Sequence, residues 1–370
     1  SKNPVDIDRL LVVTFTNAAA AEMRERIGNA IIKLLNTSAD QENLKRQLTL
    51  LTRANITTIH SFCLDVIKNN FHQLDVDPGF RIADETETTL IKMEALEELF
   101  EDKYEAEDDP EFLRLVECYG GHIDDRRLGE MVLELFEFTR SCPWPEEWLK
   151  EQCEAFNLPE GVDFSTTKWA KSLLTMLKIE LSGMIESLNR AKAICSEFEL
   201  FPYLECIEQD IAAVRELYKR ASDSWDQLIA SFSGFELVKL ARCKKDADRK
   251  AQESVRDIRD KVKARLKTLK DDIFNASTED LRKSLTVLYP MLGCLSSLVM
   301  DLSRRYQEKK KEKGLLDFGD LEHLCLKILA SRDDSGKITP SETAKRYREY
   351  YEEILVDEYQ DSNNIQELIL

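Results

Sequence analysis

Hydrophobic positions follow two different rules along this chain. Near the N-terminus Leu10-Leu11-Val12-Val13-Thr14-Phe15 is a nearly continuous apolar run, the pattern of a strand covered on both faces in a parallel sheet. Asn17 follows, and residues 18–35 then place Met23, Ile27, Ala30, Ile31 and Leu34 at helical spacing. The spacing predicts strand, tight turn, helix. Ile56-Thr57-Thr58-Ile59 starts the unit again and leads into a helix whose Cys63, Val66, Ile67 and Phe71 share one face, with Ser61 as its N-cap.

From about residue 84 to 316 the strand-like runs disappear and apolar residues recur at alternating spacings of four and three. Three runs show this: Ala170 to Ala191 through Leu177 and Leu181, Ile207 to Leu228 through Val214 and Trp225, and Leu281 to Tyr306 through Leu292 and Val299. Each is long enough for a coiled-coil seam, and internal helix packing is preferred to an oligomer interface. Pro290 and Gly293 are expected to interrupt and kink the third run. The stretch reads as an all-helical domain, with room for a protruding antiparallel helix pair. After Lys313-Gly314, residues 317–329 are helical again, Ile354-Leu355-Val356 forms a short buried strand, and an amphipathic helix runs to Leu370. The predicted class is α/β: a parallel sheet from residues 1–83 and 317–370, interrupted by a helical insertion at 84–316.

The 370 residues suffice for two or three compact units at about 150 residues each. The net charge of −18 argues against a chain coated all over with nucleic acid, so any polyanion site must be local. Charge is uneven: residues 1–72 carry 9 basic and 7 acidic side chains, 73–164 carry 8 and 27, and 242–270 carry 12 and 5. The last segment is either a duplex-binding face or a solvated helix face, since Asp246, Asp248, Asp257 and Asp260 are interspersed in it. Nine scattered cysteines without CxxC spacing point to reduced thiols and a cytoplasmic location. No charge-free apolar stretch of about 18 residues and no signal core are readable, so no membrane is expected.

Three places carry candidate chemistry. Asp357 and Glu358 follow three aliphatic residues, which sets two carboxylates at the carboxyl edge of a parallel sheet, where open α/β folds bind ligands. There one carboxylate can hold Mg²⁺ on a nucleotide's phosphates while the other orients and deprotonates water. The plain alternative is a pair of solvated charges ending a strand. Thr14, Phe15, Thr16 and Asn17 occupy a strand-to-helix corner whose N–H groups and helix dipole attract phosphate. Phe15 offers either a stacking face for a single strand or a core ring beneath a capped helix. Thr58 and His60 occupy a second such corner, where His60 is either part of the track or a hydrogen-bonded structural residue.

The string Ile354-Leu355-Val356-Asp357-Glu358-Tyr359-Gln360-Asp361, with Gln366 after it, resembles motif II of superfamily 1 helicases of the UvrD/Rep/PcrA type. The segment from Val12 to Ile27, with its Asn17-Ala18-Ala19-Ala20-Ala21-Glu22-Met23 centre, resembles their motif Ia. Thr57-Thr58-Ile59-His60-Ser61-Phe62 resembles the Thr-x-His-Ser-Phe element, and Leu316-Asp317-Phe318-Gly319-Asp320-Leu321 the Asp-Phe-x-Asp-Leu element. The segment Asp77-Pro78-Gly79-Phe80-Arg81-Ile82-Ala83-Asp84 and the size of the insertion are most similar to the AddA branch of bacterial AddAB helicase-nucleases.

The resemblance implies a RecA-like P-loop NTPase domain (1A) split around a 1B insertion, ATP and Mg²⁺ as cofactors, single- and double-stranded DNA as ligands, and an AddB-type partner in double-strand break repair. It implies Asp357 as Mg²⁺ ligand, Glu358 as general base with Gln360 beside it, and Asp361 and Gln366 as residues coupling nucleotide to DNA. Thr14, Phe15, Thr16, Asn17, Thr58 and His60 would line the DNA track. The Asp317 and Asp320 element is expected to be structural.

No phosphate-cradling Gly-x-x-x-x-Gly-Lys-Ser/Thr occurs. The sole Gly-Lys, Gly336-Lys337, precedes Ile338, and Ser331 stands where the first Gly belongs. In the family that loop precedes motif Ia, while the second RecA-like and nuclease domains follow motif II. The chain starts at Ser1 and stops in a helix, so it is expected to be a piece lacking ATPase, helicase and nuclease activity by itself. Competing readings are a UvrD-like helicase without nuclease and a helical scaffold with an inert motif II.

Overall fold

β1 (Leu10–Thr14) is buried from Leu11 onward because both of its faces are covered. Leu11 and Val13 enter one core and Val12 another, as the continuous apolar run requires. The computed structural model describes residues 5–36, 40–106, 109–121, 124–159, 161–221, 224–243, 247–333 and 336–370. Thr16 caps α1 (Asn17–Leu35), its side chain accepting from Ala19 N at 3.1 Å. Met23, Ile27 and Ile31 pack on the side of α2 (Gln41–Leu51) and β2 (Asn55–Thr58), whereas Ala30 and Leu34, expected on that face, are exposed. The Arg24 guanidinium locks this layer by donating to the carbonyls of Leu51, Ala54 and Ile56 at 2.7, 3.1 and 3.1 Å. In α3 (Ile59–Asn70) the N-cap is Thr58 rather than Ser61: Thr58 Oγ1 accepts from Ser61 N at 3.2 Å. Phe71 falls beyond the helix and is half-exposed, while Ile59, Phe62, Cys63, Val66 and Ile67 are buried.

β3 (Arg81–Ile82) leads to α4 (Glu85–Glu105), α5 (Pro110–Tyr119), α6 (Arg126–Arg140) and α7 (Pro145–Glu154). Then come α8 (Lys168–Glu197), α9 (Phe201–Arg220), α10 (Trp225–Ser233), α11 (Arg249–Asp272) and α12 (Thr278–Glu312). The return comprises β4 (Leu315–Leu316), α13 (Phe318–Leu329), β5 (Ala330–Arg332), β6 (Ile338–Pro340), α14 (Glu342–Tyr350), β7 (Glu353–Val356) and α15 (Asn364–Ile369). Among the described residues the main sheet has three parallel strands in the order β2-β1-β7, in register Leu11↔Ile354, Val12↔Leu355, Val13↔Val356 and Thr14↔Thr58. β7 is therefore an edge strand, and Ile354 and Leu355 are 42% and 48% exposed rather than buried as the aliphatic run suggested. β3 pairs parallel with β4, and β5 antiparallel with β6.

The chain divides into two compact units, Ser1–Lys150 with Gly293–Leu370, and Glu151–Leu292. Within the first unit, residues on α6 and the later part of α12 are tied to the start of α13. Arg140 donates to Asp317 through both terminal nitrogens, Tyr306 Oη donates to Asp317 at 2.6 Å, and Lys310 Nζ reaches Asp317 at 2.9 Å and Asp320 at 2.5 Å. Asp317 and Asp320 also form a reciprocal capping box on α13, each accepting from the other's N–H at 2.9 Å. Burial works to raise the Asp317 carboxyl's pKa, but Arg140, Lys310 and Tyr306 hold it well below the usual carboxylate range. Gly319 makes room for this cluster, since a Cβ there would collide with the Arg140 guanidinium.

In the second unit, α8, α9, α10 and α11 share one core that includes Leu177, Leu188, Ile207, Val214, Trp225 and Val262. The first two heptad runs thus bury one another within the unit. The second run is divided between α9 and α10, and Leu217 replaces the half-exposed Tyr218 in the core. α12 continues through Pro290 and Gly293, so neither ends it. Much of the basic segment is engaged internally: Arg259 pairs with buried Asp210 at 2.5 Å, Arg265 with Glu180 at 2.6 Å, and Arg256 donates to Tyr203 Oη at 2.8 Å. Lys261, Lys263 and Lys267 are exposed, and Lys244, Lys245 and Asp246 lie outside the described residues. Among the described helices α12 alone is long and apolar enough to cross a membrane by length and composition. Its Leu298, Val299, Leu302 and Tyr306 are buried within the protein.

Two substitutions test the Asp317 cluster. Lys310→Met removes the cation shared by two buried carboxylates and is expected to cost about 3–5 kcal/mol in urea unfolding. Gly319→Ala displaces Arg140 and is expected to cost about 1–3 kcal/mol in the same assay.

Candidate nucleotide and nucleic-acid site

All three strands of the main sheet run the same way, so their carboxyl ends form one rim. The rim holds the corner after β1 (Phe15, Thr16, Asn17), the corner after β2 (Ile59, His60) and the turn after β7 (Asp357, Glu358). Asp357 is fixed there by its own N–H, which donates to Val13 O at 2.9 Å. The predicted juxtaposition of the acidic pair with the two threonine-bearing corners is therefore present.

The corner residues divide by exposure. Thr14 is buried, and its hydroxyl donates to Thr16 O at 3.0 Å. Thr58 is buried as the cap of α3, donating to Ser61 Oγ at 2.9 Å. Both threonine hydroxyls shape their corners and are spent doing so. Phe15, Thr16 and Asn17 are exposed and present the N-terminus of α1, where the helix dipole favours an anion. Phe15 is 38% exposed and belongs to none of the buried core clusters among the described residues.

Asp357 and Glu358 are both exposed. Glu358 has φ 52°, in the left-handed region that non-glycine residues seldom occupy, so the turn places its carboxylate at a backbone cost of about 1–2 kcal/mol. Two bonds hold the turn: Asp361 N donates to Glu358 O at 2.9 Å, and the Gln360 amide donates to the Glu358 carboxylate. Asn363 caps α15 with Gln366 in a second reciprocal box, Gln366 N donating to Asn363 Oδ1 at 2.8 Å. Gln366 is buried, whereas Asp361 is exposed.

Glu322 on α13 links the corners and was not anticipated. Its buried carboxylate accepts from Gln366 Nε2 at 2.6 Å and Asn363 Nδ2 at 3.1 Å, and lies 3.2 Å from His60 Nε2. Burial works to raise its pKa, but the bonds to His60, Gln366 and Asn363 outweigh it and leave the carboxyl below its ordinary value. Phe318, also missed, is 54% exposed with its ring centroid 4.7 Å from that of His60. The two rings border an open cleft of about 380 Å³ shared with Asp84, Lys92 and Asn363. Asn363 was legible as the start of an Asn-x-x-Gln capping pattern. Glu322 carried no comparable signal, since an acid in the second turn of an amphipathic helix reads as solvated.

The chain matches the UvrD/REP helicase N-terminal domain over residues 1–370, and it belongs to that helicase family. Over its full length it is 50% identical to the AddA component of the ATP-dependent helicase/nuclease of Acetivibrio thermocellus. The corresponding proteins of Clostridium acetobutylicum and Ruminiclostridium cellulolyticum are 48% and 47% identical, also across the whole chain. The chain spans about 30% of the length of each of these relatives.

Asp317 and Glu322 have depressed folded-state pKa values, so the unfolded chain, with carboxyls near about 3.9 and 4.3, takes up protons first on acidification. Their contribution to stability is present above that range and is lost as pH falls through it toward the folded values. The urea midpoint is expected to be lower at pH 3.5 than at pH 7, with part of the difference removed in Glu322→Gln.

Proposed function

We propose that this chain forms most of the first RecA-like motor domain (1A), with its 1B insertion, of an AddA-type ATP-dependent helicase/nuclease. The complete protein, working in the cytoplasm with an AddB-type partner, would step along single-stranded DNA and unwind duplex ends in double-strand break repair. The observation that carries this reading is the shared rim: an acidic pair after β7 beside an exposed aromatic and a helix N-terminus after β1.

Asp357 would hold Mg²⁺ and Glu358 would orient and deprotonate the attacking water. The donor set fits this use, because the exposed Asp357 carboxylate suits a hard cation whose remaining ligands are nucleotide oxygens and water, and the exposed Glu358 carboxylate beside it is left free for the water. Bound Mg²⁺ and ATP would supply a polarised terminal phosphate. The chain's own residues do the placing: the left-handed Glu358 turn aims the base, Gln360 holds its carboxylate, and Asp361 closes the turn. Phe15 would stack on a base, Asn17 and the α1 N-terminus would meet phosphate, and His60 with Phe318 would continue the track.

The sequence has no phosphate-cradling loop, so residues 1–370 alone are expected to show no DNA-stimulated ATP hydrolysis in a phosphate-release assay. In the complete gene product, Glu358→Gln is expected to lower ATP turnover by about 10²–10⁴-fold with DNA binding retained. Phe15→Ala is expected to weaken single-strand affinity by the equivalent of about 1–3 kcal/mol in filter binding and to leave the salt slope unchanged, because stacking releases no counterions. Unaltered affinity in both Phe15→Ala and Asn17→Ala would show that the strand lies elsewhere.

A further inference from the structure

Glu322 is a buried carboxylate on α13, a helix that packs with α3 and α15 in one core that includes Cys63, Val66, Cys325, Ile365 and Ile369. Packing of that kind stabilises the three helices without help from a charge. An ionised group taken out of water is costly, and its partners must compensate for it.

Its partners come from two separate places on the rim. His60 opens α3 at the corner after β2, and Asn363 and Gln366 cap α15, just behind the turn that holds Glu358. An ionised carboxylate only accepts hydrogen bonds, so it suits three donors converging on it. Because the carboxylate only accepts, the His60 nitrogen that faces it, Nε2, is the one that donates. A glutamine at this position would turn an amide N–H₂ toward at least one donor and lose that arm.

The far ends of the linkage differ in freedom. The His60 side chain is 32% exposed and rests against the exposed Phe318 ring, so a ligand in the cleft touches it directly. Gln366 is buried and immobilised by its cap, and the segment from Glu358 to Asp361 precedes it in a strained turn. We propose that Glu322 is the positioning residue that couples a single strand lying on His60 to the acidic turn at Asp357 and Glu358. The inference deepens the helicase reading above and rests on it. Coupling of this kind is reciprocal: whatever nucleotide does to strand affinity, the strand does to nucleotide affinity.

The test uses the complete gene product and a fluorescein-labelled oligothymidylate, titrated by anisotropy with and without a non-hydrolysable ATP analogue and Mg²⁺. The quantity read is the ratio of the two dissociation constants, about 5–150-fold where sites are coupled. Glu322→Gln and Glu322→Leu are both expected to bring that ratio to less than a third of its wild-type value, whatever each does to either affinity alone. Glu322→Asp keeps the charge, provides a version that folds if the others do not, and is expected to retain more of the ratio than Glu322→Gln. A purely structural role would weaken binding equally in both nucleotide states and leave the ratio intact, which would overturn the proposal. Failure of the wild-type protein to bind the oligonucleotide would instead remove the helicase reading, and this inference with it.

Discussion

The hydrogen-bonded pairing of β1 with β7 is the constraint from which the rest of the first unit follows. It joins the two ends of the chain in parallel, and parallel pairing puts the carboxyl ends of both strands on one side. Without it the acidic turn and the phenylalanine-bearing corner would belong to different surfaces. The Asp357 N–H bonded to Val13 O extends the ladder one residue past β7, so the first acidic residue is placed by backbone geometry. Loop closure over so long a separation costs little more than over a short one, because that entropy grows only with the logarithm of length. A large helical region between the two strands is thermodynamically tolerable for the same reason.

Much of this was legible in the sequence where a pattern had one physical meaning. The unbroken aliphatic run before Thr14 meant a strand buried on both faces, and the alternating four-and-three spacing meant helices packing on one another. The pattern misled where the same residues serve two environments. Ile354 and Leu355 read as buried because aliphatics usually are, but burial depends on neighbouring strands and not on the residues themselves. The family resemblance places Thr14 and Thr58 on the DNA track; in the structure each hydroxyl bonds within its own corner. The expected helical insertion at 84–316 followed the loss of strand-like runs and the helical spacing. No periodicity reveals the charge pairing that ties Arg140, Tyr306 and Lys310 to Asp317 and Asp320.

Two buried polar clusters, one at Asp317 and one at Glu322, flank the first turn of α13. They differ in what they join. The Asp317 cluster binds fixed elements through two cations and a tyrosine hydroxyl, and Asp317, Asp320, Tyr306 and Lys310 are almost wholly out of water. The Glu322 cluster uses mostly neutral donors and opens through His60 to the cleft.

β7 carries a further consequence. Its outer side is an exposed sheet edge with two apolar side chains half in water, and an edge of that description is a template for another strand. Copies of this chain held at high concentration would meet through that edge first. The surplus of negative charge, concentrated in residues 73–164 and not in the strand itself, opposes such contacts only at long range and only in dilute salt, so raising the ionic strength should favour self-association over dispersal.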